Sequence, residues 1–230
     1  MRIKECIVLA GGLGTRLRSE VPDLPKCMAP VAGKPFLDHV IRYLLDQGIE
    51  RFVFSLGYRH EVIEDFLRRE YPSLEYAVAL EEEPLGTGGA IRLSCNQVLD
   101  KHVLIVNGDT MFRISVEDMS DFHLGRQADC TLALKPMKDF DRYGVVETDH
   151  EGHIRSFREK QYYASGLING GVYALNVPAF IATGLSGKFS FEKDYLERFV
   201  GKCKLMGLVQ DNYFIDIGIP EDFKKANREL

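Results

Sequence analysis

Ile7-Val8-Leu9-Ala10-Gly11-Gly12-Leu13-Gly14-Thr15-Arg16-Leu17-Arg18 is the stretch that decides how the chain is read. Four apolar residues without polar alternation, Ile7 to Ala10, predict a short strand buried on both faces, as in a parallel sheet. Gly11, Gly12 and Gly14 then remove side chains where the chain leaves the sheet, so backbone N–H groups can approach a ligand and adopt positive φ without strain. That is the local chemistry of a phosphate cradle. Two familiar cradles fit poorly: no Gly-Lys-Ser/Thr follows, and the third glycine of a dinucleotide fingerprint is missing. The segment carries cations instead. Arg16, Arg18 and, beyond Pro25, Lys26 fall within one short loop, where arginine offers a planar fork to phosphate oxygens and lysine a point charge. A tight turn with solvated cations accounts for Gly-Gly-x-Gly alone; Thr15-Arg16 and Pro25-Lys26 together favour polyphosphate binding.

Outward from this loop, helix and strand patterns alternate. Apolar residues recur at three and four over 36–45, a helix stopped by Gly48, and Phe52-Val53-Phe54-Ser55-Leu56 reads as a second buried strand. A helix over 61–69, closed by Tyr71-Pro72, and a strand over 74–80 complete β-α-β-α-β, the order of a doubly wound sheet. A helix over 90–98, the strand Val103-Leu104-Ile105-Val106, a helix over 115–126 and a strand over 129–135 continue it. The pattern then changes: 143–147, 153–160 and 168–175 read as strands separated by turns, so the second half extends the sheet with mixed strands. A helix over 191–200 with Ser190 as N-cap, strands over 204–209 and 213–215, and a helix begun by Pro220 end the chain.

The 230 residues, 45% hydrophobic and 27% charged, suffice for one large α/β domain and are marginal for two, so a single domain over 1–230 is expected. A formal charge of −5 argues against a general nucleic-acid or anionic-membrane binder, since those rely on summed positive charge. No apolar run reaches signal-peptide or membrane-span length, and a cytoplasmic location is expected. The five cysteines are scattered, without Cys-x-x-Cys or zinc spacing, and read as free thiols; the six histidines show no ligand spacing. Oligomeric state is not legible, and a homo-oligomer stays open.

Leu9 to Arg18, followed by Pro25-Lys26-Cys27-Met28-Ala29-Pro30-Val31, resembles the opening of the sugar-1-phosphate nucleotidylyltransferase family, which joins a nucleoside triphosphate to a sugar 1-phosphate with release of pyrophosphate. The resemblance implies a Rossmann-like, doubly wound mixed sheet in three α/β/α layers, with a nucleotide-binding half over 1–135 and a sugar-phosphate-binding half over 136–230. It assigns Leu9, Ala10, Gly11, Gly12, Gly14, Thr15, Arg16 and Lys26 to the nucleotide, with Asn107 and Gly108 beyond. Pro84-Leu85-Gly86-Thr87-Gly88-Gly89 resembles the base-contacting loop, with Leu85, Gly86 and Thr87 under the base. Guanine offers two adjacent donors, N1–H and the exocyclic amine, that one carboxylate can accept together. Glu81 or Glu83 is therefore expected to read guanine, while at least one of Glu81-Glu82-Glu83 is an ordinary solvated loop residue.

Val103-Leu104-Ile105-Val106-Asn107-Gly108-Asp109 ends an apolar strand in Gly-Asp, which puts a carboxylate at the carboxyl edge of the sheet. Gly-Asp alone is commonly a turn, but beside the glycine loop Asp109 resembles the family's Mg2+ ligand. Asp216 is the second, by resemblance; its plain alternative is an Asx turn. Gly144, Glu159, Lys160, Asn169 and Gly170 fall in stretches that resemble the pieces holding the sugar 1-phosphate, with Lys160 on its phosphate and Glu159 and Asn169 on its hydroxyls. The implied chemistry needs no covalent nucleophile: Arg16, Lys26 and Asp109 are the expected catalytic groups, acting by positioning and charge neutralisation.

Arg18-Ser19-Glu20-Val21-Pro22-Asp23-Leu24 and Phe189-Ser190-Phe191-Glu192-Lys193-Asp194 resemble the small guanylyltransferases acting on D-glycero-α-D-manno-heptose 1-phosphate. GTP and that sugar phosphate are thus the expected substrates. The alternatives are mannose 1-phosphate with GTP, N-acetylmuramate 1-phosphate with UTP, glucose 1-phosphate with dTTP, or a non-catalytic module that binds nucleotide sugars. A nicotinamide-dependent Rossmann enzyme founders on the missing glycine, and Tyr58-Arg59-His60 follows the second strand where an acidic residue is needed.

Overall fold

Alternation along the central strands sets the layers. Cys6, Val8, Phe52, Phe54, Leu104 and Val106 bury on one face of the sheet, and Ile7, Val53, Val103 and Ile105 on the other. A computed structural model describes residues 2–12, 17, 21 and 23–230. The chain runs β1 (Glu5–Leu9), β2 (Pro30–Val31), β3 (Lys34–Pro35), α1 (Phe36–Asp46), β4 (Arg51–Leu56), α2 (His60–Glu70), β5 (Glu75–Leu80), α3 (Gly86–Ser94), β6 (His102–Asn107), β7 (Thr110–Phe112) and α4 (Val116–Gly125). It continues with β8 (Cys130–Phe140), β9 (Val145–Thr148), β10 (Ile154–Arg158), β11 (Tyr163–Asn176), α5 (Val177–Ala182), β12 (Leu205–Val209), β13 (Phe214–Asp216) and α6 (Pro220–Glu229).

Among the described residues, nine strands form one mixed sheet with the order β10-β9-β11-β6-β1-β4-β5, while β8 pairs with β11 and β12. β1 lies parallel to β4 and β6, and β4 parallel to β5; β6 then pairs antiparallel with β11. The switch in pairing falls where the sequence stops alternating strand with helix. α1, α2 and α6 cover one face with Leu37, Ile41, Phe66, Leu67 and Ala226. α3, α5 and the π-helical segment Phe191–Glu197 cover the other with Ile91, Phe180, Phe191 and Tyr195. The result is the three-layer α/β/α arrangement, in which a parallel sheet needs helices on both faces.

Several boundaries differ from the sequence expectations for reasons of packing. β1 starts at Glu5, which is buried because it pairs with Arg51 and accepts the N–H groups of Leu99 and Asp100 at 2.9 and 3.0 Å. α3 starts at Gly86 rather than near residue 90. Its glycines read as loop locally, yet a Cβ at Gly86 would stand 2.6 Å from the Phe189 carbonyl oxygen, and one at Gly88 would overlap the Phe189 ring. β8 runs on to Phe140 because β11 pairs with it along that length, from Leu175↔Cys130 to Tyr163↔Phe140, across an irregularity between Asn169 and Tyr173.

Candidate functional site

The carboxyl ends of β1, β4, β5 and β6 finish in register, Leu9 opposite both Ser55 and Asn107, and Ser55 opposite Ala79. Ala10 N donates to Ser55 O at 2.9 Å, Gly108 N to Leu9 O at 2.9 Å and Glu81 N to Leu56 O at 2.8 Å, so the strand ends form one floor. Gly11 leaves this floor through a gap that admits no side chain: a Cβ there would stand 2.5 Å from Glu81 Oε1 and 3.2 Å from Gly57 N. Above it opens a cavity of about 700 Å³, within the range of small-molecule sites. Leu9, Ala10, Gly11, Gly12, Lys26, Glu81, Glu83, Gly86, Thr87, Asn107 and Asp109 line it, together with Cys27, Ser55, Gly57, Tyr58, Glu82, Pro84, Ala90 and Gly218.

Lys26 joins the two expected metal carboxylates. Its Nζ lies 2.6 Å from Asp109 Oδ2 and 3.2 Å from Asp216 Oδ1, on a side chain only 10% exposed. The antiparallel ribbon of β7 and β13 makes this possible by setting Asp216 opposite Thr110, beside Asp109. Gly218 N donates to Asp216 Oδ1 at 2.8 Å and Ile217 N to Asp109 O at 3.1 Å. A Cβ at Gly218 would stand 2.8 Å from Asp216 Oδ1 and 3.0 Å from Lys26 Nζ, which explains the glycine. Burial and the charge of Asp109 push the neighbouring Cys27 thiol up to about 12, so it stays neutral and is no nucleophile. Oxygens of two carboxylates converging on one cation are the donor set of Mg2+, which is commonly held by one or two carboxylates with substrate phosphate and water. Among the described residues, no group of three or more metal-ligating side chains occurs.

The acidic wall is not uniform. Glu81 is half-buried, with Oε2 accepting the Leu85 N–H at 3.0 Å and Oε1 facing Gly11. Burial raises its pKa above the ordinary carboxylate value, and the Leu85 N–H opposes that shift. Glu82 and Glu83 are exposed. The Thr87 hydroxyl, expected under the base, donates to Glu192 Oε2 at 2.7 Å and accepts from Phe191 N at 2.9 Å, so it ties α3 to the 189–192 segment. Leu85 and Gly108 lie outside the cavity lining; Gly108 is packed against Leu9 O.

The residues expected around the sugar phosphate are not gathered in this cavity. Gly170 takes its place under the Phe112 ring and Gly144 against the Arg158 carbonyl, where a Cβ would overlap in each case. Asn169 Nδ2 donates to the buried Tyr173 hydroxyl at 2.9 Å while Oδ1 accepts Gly171 N at 3.0 Å. Each of its polar atoms thus has a partner within the sheet. Glu159 and Lys160 are exposed on the turn between β10 and β11. Gly14, Thr15 and Arg16, with Arg18, lie outside the described residues.

Sequence reasoning missed Ser55, Gly57 and Gly218. The signal for the first two was present, since Ser55-Leu56-Gly57 ends a strand parallel to Leu9-Ala10-Gly11 at the same level. Gly218 needed the fold.

The family model described as Nucleotidyl transferase matches residues 5–230. A D-glycero-alpha-D-manno-heptose 1-phosphate guanylyltransferase of Aneurinibacillus thermoaerophilus is 48% identical over 226 residues, 98% of each chain. An enzyme of the same name from Campylobacter jejuni is 44% identical over 95% of this chain and 96% of its own. The crystal structure of HddC from Yersinia pseudotuberculosis complexed with GMP-PN superposes with a TM-score of 0.88 at 38% identity over 99% of both chains. Among the described residues, no helix is long and apolar enough to cross a membrane.

Proposed function

The chain belongs to the nucleotidyl transferase family, and from that premise we propose that it transfers GMP from GTP to D-glycero-α-D-manno-heptose 1-phosphate, giving GDP-heptose and pyrophosphate. The observation that carries the reading is Lys26 set between Asp109 and Asp216 at the wall of a glycine-floored cavity. A module that only binds a nucleotide sugar has no need of two carboxylates converging on a buried ammonium. An oxygen of the sugar 1-phosphate attacks the α-phosphorus in line, and the α–β bridging bond breaks with its electrons leaving on pyrophosphate. Gly11, Gly12 and Gly14 offer backbone N–H groups to the triphosphate, Thr15 continues the cradle, and Arg16 stabilises the departing pyrophosphate. Lys26 exchanges its carboxylate partners for the α-phosphate, where its low exposure strengthens the attraction. Asp109 and Asp216 would hold Mg2+, which when bound would neutralise phosphate charge.

Glu81 reads the guanine edge in preference to Glu83, because the Leu85 N–H already fixes its carboxylate and a fixed acceptor discriminates better than a free one. Lys160, exposed and untethered by its own sheet, takes the phosphate of the sugar, and Glu159 a hydroxyl. Asn169, Gly170 and Gly144 shape that wall through packing. Incubation with GTP, the heptose 1-phosphate and Mg2+, followed by mass spectrometry, is expected to yield GDP-heptose, with none after chelation of the metal. Formation of no nucleotide sugar by a folded, metal-supplemented protein would remove the reading.

A further inference from the structure

Outside the residues that line the cavity, α6 and the 141–144 turn between β8 and β9 are joined by an ion pair. Arg142 Nη1 lies 2.8 Å from Asp222 Oδ2 in the first turn of α6. Arg142 Nη2 donates to the Tyr143 hydroxyl at 3.3 Å, and its guanidinium stands 5.5 Å from the centre of that ring. Tyr143 packs edge-on against Phe214 with centroids 6.0 Å apart, and Phe214 edge-on against Phe112 at 5.6 Å. Phe214 and Phe112 belong to the ribbon of β13 and β7 that carries Asp216 beside Asp109.

We propose that Arg142 and Asp222 are positioning residues whose bridge latches the 141–144 turn to α6, holding Tyr143 against Phe214, on the ribbon that carries Asp216, as the wall on which the sugar 1-phosphate seats. This rests on the transferase reading above. In this reading the nucleotide takes the β1, β4 and β5 side of Lys26 and the sugar 1-phosphate meets Lys26 from the side of Asp216. α6 begins at Pro220, two residues after Gly218, and anchoring its first turn fixes that side as well as the turn. The turn has no slack on its inner side, because Gly144 is already pressed on the Arg158 carbonyl. The bridge is part-exposed, 38% at Arg142 and 26% at Asp222. Pairs so exposed add little to global stability, so the fold survives the loss of this one and the effect appears at the site.

The test is steady-state kinetics with GTP and the heptose 1-phosphate, alongside thermal melts, for wild type, R142M, D222N, R142M/D222N and the exchanged pair R142D/D222R. Each single variant is expected to raise KM for the sugar 1-phosphate about fivefold to tenfold and leave KM for GTP unchanged. The double neutral variant is then no worse than either single, as for residues acting as a unit, and the exchanged pair recovers part of the loss. An effect in R142M with wild-type behaviour in D222N overturns the latch in favour of direct phosphate contact. KM values for both substrates rising together, or a lowered melting temperature with unchanged kinetics, overturns it in favour of a plain surface bridge. A wild-type chain that forms no nucleotide sugar overturns the transferase reading and the latch with it, an outcome distinct from an active wild type whose variants are silent.

Discussion

The two sides of the site are built by different means. On the parallel side, strands end in register, so that a residue at the carboxyl end of β1, β4 or β6 is delivered to the cavity by its position along the strand. Gly11, Ser55, Asn107 and Asp109 all arrive there in that way. On the antiparallel side, the glycines sit in close packing, where a Cβ at Gly170 would overlap the Phe112 ring and one at Gly144 the Arg158 carbonyl. In a parallel edge, place in the strand predicts role. In an antiparallel sheet, the cross-strand neighbour decides, and that neighbour is remote in sequence.

The contrast breaks most sharply at Lys26 and Asp109. Lys26→Ala and Asp109→Asn are expected to lower turnover by about 10²- to 10³-fold, as for other preorganised electrostatic groups, while melting temperatures show the fold intact. Wild-type turnover in folded K26A would sink the role given to the nucleotide side. The converse change lies across the site: Gly170→Ala should cost about 1–3 kcal/mol of stability through overlap with Phe112, read as a fall of several degrees in melting temperature. An unchanged melting temperature with raised KM for the sugar phosphate would instead return Gly170 to the binding surface.

Acid should loosen the antiparallel side as well. His123 is fully buried between His102 Nδ1 at 3.0 Å and Thr131 Oγ1 of β8 at 2.9 Å, and burial with the adjacent imidazole holds its pKa down to about 3. The unfolded chain binds that proton near the ordinary value of 6.5 and the folded chain does not. Its contribution is therefore complete above pH 6.5 and is lost as pH falls from there towards 3. Urea unfolding at pH 7 and pH 5 should differ by about 2 kcal/mol from this group, a difference that shrinks in His123→Phe; an equal difference in both proteins would assign the acid sensitivity elsewhere. The smallest effect expected is at the base. Glu81→Gln should reduce preference for GTP over ATP about tenfold, with Glu83→Gln near wild type; the reverse pattern would make Glu83 the reader.

Much of the parallel half was legible because its strands are short apolar runs ending in glycine or Gly-Asp, signals local to a few residues. Asp216 was different. Nothing in Phe214-Ile215-Asp216 sets it beside Asp109, and its partner β7, Thr110-Met111-Phe112, is too short to show a period; only the pairing of the two strands brings the carboxylates together. The start of α3 was hidden because Gly86, Gly88 and Gly89 weaken helix propensity locally while the contact with Phe189 demands them. The arm of β8 beyond Lys135 lacks alternation and is held as a strand by β11. The bond from Asn169 to Tyr173 was not legible in sequence, since it depends on how the bulged strand turns.

The most direct measurement is pyrophosphate release by the purified protein with Mg2+, across GTP, ATP, UTP, CTP and dTTP, each paired with heptose 1-phosphate, mannose 1-phosphate or N-acetylmuramate 1-phosphate. Release confined to GTP with the heptose 1-phosphate is the predicted result. Release with UTP or dTTP would contradict the part given to Glu81, and silence across every pair would contradict catalysis at Lys26, Asp109 and Asp216.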